Sequence, residues 1–289
     1  MIEPISDVLP QTPASQHKTP LQKGDLLLDI NNQPVNASHN LYQPLEGTVG
    51  QKILLTIQRK NQTLELLLTP TSLPQIEKTL YREWVKNNRK LVEKQTQNQV
   101  GYIHLPAMGW RNAEEFEQQL YTIGKDKKAL ILDVRYNTGG WVADYLLAML
   151  MVKRHAYTIG RGGQKGYPQG RLPLYAWTKP VVLLCNEYSF SNAEIFTHAF
   201  QTLKRGPVVG QPTFGGVIST SNIQLLDGSY FRVPSRGWYV ITNNKNMENS
   251  PAIPDFPIQN PPGQELQGRD NQLLYAIQKA LEQIKQKRP

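Results

Sequence analysis

A chain of 289 residues, 39% hydrophobic and 19% charged, has the make-up of an ordinary globular protein with room for one large and one small domain. Its net charge of +9 comes from basic residues scattered along the chain and gathered in the tail KQKRP, with no basic stripe interleaved with aromatics, so nucleic acid is not expected as a partner. No apolar run approaches the ~20 residues of a membrane span, and the single cysteine, Cys185 in the run VVLLC, excludes an intramolecular disulfide and reads as a buried, inert thiol.

The start, MIEPISDVLPQTP, lacks the basic and apolar stretches of a signal peptide. Residue 1 is therefore either a cytoplasmic start or a cut inside a longer protein, in which case a periplasmic or exported location is expected. Residues 1–19, rich in Pro, Ser, Thr and Gln, read as a disordered or clipped segment. From residue 20 to 72 strands alternate with turns. LQKGDLLLDINNQPV carries a Gly-Asp turn, an apolar strand and an Asn-Asn turn, and KILLTIQRK-NQT-LELLL is a hairpin pattern. The polar stretch from Asn36 to Gly47 has room for a short helix. A helical stripe beginning at Pro74 (Ile76, Leu80, Trp84, Leu91, Val92) predicts a linker helix within 73–98.

Beyond it, residues 99–289 alternate near-continuous apolar strands (GYIHLP, ALILDVRY, VVLLCNE, PVVG) with helices over 112–123, 141–152 and 192–203. An amphipathic helix, DNQLLYAIQKALEQIKQK, closes the chain. That order predicts an α/β core with a largely parallel sheet. The segment 153–179, rich in Gly, Pro, Lys and Tyr, reads either as a loop covering the cleft or as an ordinary surface loop. Its GRGG at 160–163 lacks the Lys-Ser/Thr of a phosphate-binding loop, and no His or Cys spacing points to a metal, so no cofactor is expected.

Two strand-to-helix turns carry the chemistry. In NEYSFSNAEIF, Ser191 opens a helix, where free N–H groups and the helix dipole favour developing negative charge; on this alone a serine is more often a simple cap. In Asp133–Gly140, DVRYNTGG, two glycines let backbone approach a ligand closely. Both turns lie at carboxyl ends of strands, where open α/β sheets build their sites and where backbone N–H groups can form an oxyanion hole.

The small domain, through Pro20-Leu21, Gly24-Asp25, the strand through Ile30, Gly50 and the strand Ile53–Arg59, resembles the back half of a bacterial-type PDZ domain. The strand and carboxylate-binding loop that such domains carry before the Gly-Asp turn find no match here. Over residues 20–285, the ordered motifs YREWVKNNRKLV, GYIHLPAMG, ALILDVRYNTGGW, NEYSFSNAEIF, VVGQPTFGGV, MENSPAIPDF and GRDNQLLYAI resemble the tricorn core peptidases. These are relatives of the C-terminal (tail-specific) processing peptidases. The resemblance implies a PDZ-like domain followed by a ClpP/crotonase-like core that cleaves peptides or unfolded proteins by acyl transfer and that assembles into oligomers. It implies Ser191 as nucleophile, the N–H groups of Gly139 and Asn192 as oxyanion donors and Glu248 as the acid of a catalytic tetrad. Read without it, Glu248 is a solvated loop charge.

Where the processing peptidases carry a lysine base after Phe-Gly, this chain has Gly216. The tricorn pattern takes its base from a Ser-His pair upstream of the PDZ domain, and no Ser-His dipeptide occurs here. Of the five histidines, His198 lies two helical turns from Ser191, a rise of ~10.5 Å. His104 in YIHLP reads as structural; His17, His39 and His155 have no flanking match. Serine needs a base to be a good nucleophile, so the chain alone is expected to be weakly active or inactive, with the base on a missing upstream segment. Three readings stay open: a serine endopeptidase, a non-catalytic peptide-binding protein that keeps the fold, and a binder of apolar ligands.

Overall fold

In the run Ile53–Arg59 the side chains of Ile53, Leu55 and Ile57 are buried and those between them are not, the two-residue period of a strand with one face on a core. The structure is a computed structural model that describes residues 4–36, 40–153, 157–166, 176–264 and 268–286. The chain divides into two units, Met1–Asn87 and Asn88–Pro289.

The first unit holds an antiparallel sheet of β1 (Leu26–Ile30), β2 (Gln33–Pro34), β3 (Ile53–Arg59) and β4 (Gln62–Leu68), in the order β2-β1-β3-β4. Asn31 and Asn32, both at positive φ (50° and 62°), make the two-residue turn between β1 and β2. Ile30, Ile53, Leu55, Ile57, Leu66 and Leu68 form its core. Arg59 grips Asp25 with two hydrogen bonds of 2.8 and 2.7 Å. Residues 4–19 depart from the expected disorder. Ile5 donates to Asp25 O and accepts from Gly24 N–H, both at 2.8 Å, and Pro13–Gln16 form a helical turn. Ile5, Val8 and Leu9, dispersed among polar residues, line an apolar groove of about 360 Å³ with Leu21, Leu27 and Ile30. Apolar contact, absent from the composition-level reading, orders this segment.

Helix α1 (Leu73–Gln95) lies within the span 73–98 where a helix is expected, and the division into units falls inside it, between Asn87 and Asn88. The second unit runs β5 (Val100–His104), α2 (Trp110–Thr122), β6 (Ala129–Asp133), α3 (Ala143–Leu150), β7 (Val181–Cys185), α4 (Asn192–Thr202) and β8 (Val208–Gly210). Two hairpins follow, β9 (Ser219–Gln224) with β10 (Tyr230–Arg236) and β11 (Tyr239–Val240) with β12 (Lys245–Asn246), before β13 (Phe256–Pro257) and α5 (Asn271–Gln286). The main sheet is wholly parallel, in the order β13-β8-β7-β6-β5. Every residue of β5, β6 and β7 is buried, the mark of a parallel sheet covered on both faces. Helix α5 packs on β6 and β7. A core of Ile103, Leu130, Leu132, Leu183, Phe196 and others joins α2, α3 and α4 to the sheet. Among the described residues no helix is long and apolar enough to cross a membrane.

Candidate active site

The carboxyl end of β6 leads into a turn built around a buried arginine. Arg135, fully buried, donates to both oxygens of Asp133 (Nε to Oδ1 3.0 Å, Nη2 to Oδ2 2.7 Å) and through Nη1 to Asp270 (2.8 Å) and Gln272 (3.0 Å) at the start of α5. Tyr102 Oη adds a bond to Asp133 Oδ2 (2.8 Å), and Asn88 Nδ2 donates to Tyr102 Oη (3.1 Å). Burial raises the Asp133 carboxyl, but the charge and hydrogen bonds of Arg135 outweigh it and hold it below its ordinary value. The carbonyl of Arg135 meets His104 Nε2 at 2.8 Å, and burial lowers the pKa of that imidazole. With its backbone and side chain so held, Arg135 aims the next residues, Tyr136 to Gly140, at the neighbouring turn. Asn137 fixes their shape by donating to Leu105 O (2.7 Å) and accepting from Gly139 N–H (2.8 Å).

The turn after β7 is stitched to the first by short polar side chains. Asn186 Oδ1 accepts from Tyr136 N–H (3.0 Å), and Ser189 Oγ donates to Val134 O (2.8 Å). Phe190 N–H donates to Asn137 O (2.9 Å), and Asn192 Oδ1 accepts from Ala143 N–H (2.9 Å). Ser191 is the N-cap of α4 but not an ordinary one. Its φ of 57° and ψ of −118° lie outside the extended region that N-caps favour, at a cost of about 1–3 kcal/mol. A serine raised on a strained strand-to-helix turn is the geometry of a nucleophile elbow.

Gly139 packs directly against this serine. A Cβ at Gly139 would stand 2.6 Å from Ser191 Cβ, 2.8 Å from Phe190 O and 3.2 Å from Asn192 N, and its φ of 82° favours glycine independently. The fold thus brings Ser191, Gly139 and Asn192 to one spot. Asn192, the first residue of α4, has an N–H with no acceptor inside the helix. The Gly139 N–H is spoken for by Asn137 Oδ1, so it reaches an oxyanion only by sharing its proton.

Glu248 is half-buried rather than a solvated loop charge: its Oε2 accepts from Val217 N–H (2.7 Å) and Ile218 N–H (2.9 Å). The residue that sequence reasoning missed is Glu194, fully buried on the first turn of α4. Its Oε1 accepts from Ser191 N–H (3.0 Å) and Gly216 N–H (2.9 Å), and its Oε2 from Thr213 Oγ1 (2.7 Å) and Gly215 N–H. The Ser-x-x-Glu spacing of a capping box was the available signal. Gly216, at the place of the processing peptidases' lysine, has no room to spare, since a Cβ there would lie 2.9 Å from the Phe190 ring. Phe190 and Phe214 meet edge to face at 5.0 Å, and Tyr136 stacks on Tyr188 at 5.5 Å, both pairs partly exposed around the two turns. Tyr136 and Asn186 also border a polar cleft of about 490 Å³ floored by Gln211 and Gln272.

The described histidines are engaged elsewhere. His198 Nε2 faces Ser250 O at 3.3 Å, burial lowers its pKa, and it lies two turns along α4 from Ser191. His104 is bound to Arg135 O as above, and His17, in the first unit, contacts the backbone of Thr19. His39 and His155 lie outside the described residues, as do residues 154–156 and 167–175 of the segment expected to cover the cleft or form a surface loop. Cys185 is buried, and that burial pushes its thiol pKa far up, which makes it inert.

The family model described as "Peptidase family S41" matches residues 99–258, more than half of the chain. The tricorn protease of Thermoplasma volcanium is 31% identical over an alignment that covers 96% of this chain and 27% of that protein. The tricorn protease of Thermoplasma acidophilum is 31% identical over 91% of this chain and 24% of its own length. Among solved structures, the crystal structure of the tricorn protease superposes with a TM-score of 0.71 at 29% identity, covering 91% of this chain and 25% of that one. The chain therefore spans about a quarter of the length of these relatives.

Proposed function

The chain belongs to peptidase family S41, and on that premise we propose that it hydrolyses peptide bonds by acyl transfer through Ser191, as a serine endopeptidase of the tricorn and tail-specific type. Its substrates are peptides or unfolded proteins. The observation that carries this reading is the meeting of Ser191, on its strained turn, with Gly139 and the N–H of Asn192. Ser191 Oγ attacks the scissile carbonyl carbon while the general base takes its proton, later handed to the leaving amine, and the charge that develops on the carbonyl oxygen falls to the Asn192 N–H, with Gly139 as second donor. As the C–N bond breaks, the amine leaves with a proton and the acyl group stays on Ser191 until water releases it. A single N–H donor placed on such an oxyanion is worth about 10²–10³-fold.

The general base comes from outside the described residues, as the tricorn resemblance implies; the engagement of His104 and His198 with backbone carbonyls supports this. Glu248 completes the tetrad. The first unit serves as the PDZ-like domain, and a homo-oligomer is the assembly in which a neighbouring copy can contribute to the site. The test is labelling by a fluorophosphonate probe, with Ser191→Ala as control. Labelling of the wild type that disappears in the variant supports the peptidase reading. A folded protein that stays unlabelled, both as this chain and with an upstream histidine-bearing segment added, favours a peptide-binding protein that keeps the fold.

A further inference from the structure

Four consecutive backbone N–H groups, those of Gly215, Gly216, Val217 and Ile218, end on two carboxylates. The first two go to Glu194 and the last two to Glu248. Glu194 takes in addition the N–H of Ser191 and the hydroxyl of Thr213, whose oxygen in turn accepts from Ala252 N–H at 2.9 Å. The segments either side are laced in as well: Phe214 N–H donates to Ser189 O (3.1 Å) and Asn249 N–H to Gly215 O (2.8 Å). Two pieces of chain that are remote in sequence, the Ser191 turn and 213–216, therefore converge on one side chain at the start of α4, and a third, 247–252, is tied to the second of them.

We infer that Glu194 is the positioning residue of this site, a buried carboxylate clamp that holds the strained Ser191 peptide and, through the 213–218 strap, Glu248 in one rigid arrangement. The inference rests on the peptidase reading for its catalytic consequence but not for its geometry. Four donors aimed at one side chain need four acceptor lone pairs, which an ionised carboxylate has and no other side chain of this shape offers. Glutamine has the same outline but a single acceptor oxygen, so in Glu194→Gln two of the four donors face an amide NH₂. The Ser191 turn is then released from its strained φ, and the direction of its Cα–Cβ bond is no longer set. A displacement of about 1 Å at a reacting atom costs about 10²-fold in rate.

Two readouts test the clamp. In hydrogen exchange followed residue by residue, Glu194→Gln is expected to speed exchange at Ser191, Gly215 and Gly216 while the amides of β5, β6 and β7 keep their protection. In fluorophosphonate labelling, the same variant is expected to lower the rate of covalent modification about a hundredfold and to leave the concentration dependence of binding within about twofold, since the peptide-binding surface is intact. Thr213→Val, which removes one donor of the four, gives a milder form of both effects and decides the matter if Glu194→Gln does not fold. Unchanged exchange at Ser191 and Gly216 in a folded variant overturns the inference. So does a variant that loses binding and modification rate in equal measure. If the wild-type chain is not labelled, the peptidase reading is what fails, and the exchange measurement still judges the clamp.

Discussion

The two turns that make the candidate site are held by opposite means. The turn after β6 is anchored by full charges, with Arg135 between Asp133 and Asp270, and this buried network reaches β5, α5 and α1. The turn after β7 is anchored by neutral donors, backbone N–H groups and one hydroxyl, that end on Glu194 within three residues of the serine. A buried ion pair holds its shape only if both charges stay matched, so the first turn is fixed through the stability of the whole second unit. The carboxylate clamp is local, so the second turn can loosen while the sheet stays intact. The Arg135 end of the first turn is thus coupled to folding, whereas Gly139 at its far end and the Glu194 ties of the second turn bear on the geometry around Ser191.

The largest expected effect breaks the first turn. Arg135→Met leaves Asp133 and Asp270 buried without their cation and is expected to cost about 3–5 kcal/mol in urea denaturation, against a modest stability change for Glu194→Gln. Equal losses in the two variants remove the contrast. Gly139→Ala comes next. The new Cβ meets Ser191 Cβ and the positive φ disfavours alanine by about 1–2 kcal/mol, so probe labelling is expected to fall about a hundredfold or more with most of the stability retained.

The smallest effect is a pH dependence. Burial depresses the folded-state pKa of His104 and His198 from the ordinary 6.5, so the unfolded chain binds more protons as pH falls. The stability these residues contribute is fully present above about pH 6.5 and is lost as pH drops from there through their folded pKa values. Replacing His104 with Gln is expected to flatten that slope in part, since His198 keeps its share; an unchanged slope between pH 7 and 5, measured by denaturation, would falsify the assignment.

Much of the second unit was legible because its signals are local. The runs that became β5, β6 and β7 are continuous apolar stretches between helical stripes, and the observed helices lie within a few residues of the expected spans. The two turns stood out by the same logic, each a polar stretch at the end of an apolar strand. Other features were written in the chain and went unread. Asp227-Gly228 between NIQLL and SYFRV is the turn of the β9–β10 hairpin, with Ile223 opposite Phe231. The apolar residues Ile5, Val8 and Leu9 lay hidden in a segment whose overall composition resembled a tail.

By itself, then, the sequence determined the strand and helix order, the place of Ser191 at a helix start and the glycines opposite it, since propensity, period and capping act between near neighbours. Only the tertiary structure decided that Gly139 touches Ser191, that Arg135 joins residues 133 and 270, that Glu194 gathers donors from 191, 213, 215 and 216, and that Glu248 is pinned to 217 and 218. Each of these depends on which turns the parallel sheet sets side by side. A buried charge chooses its partners by distance and lone-pair count, neither of which leaves a periodic trace along the chain.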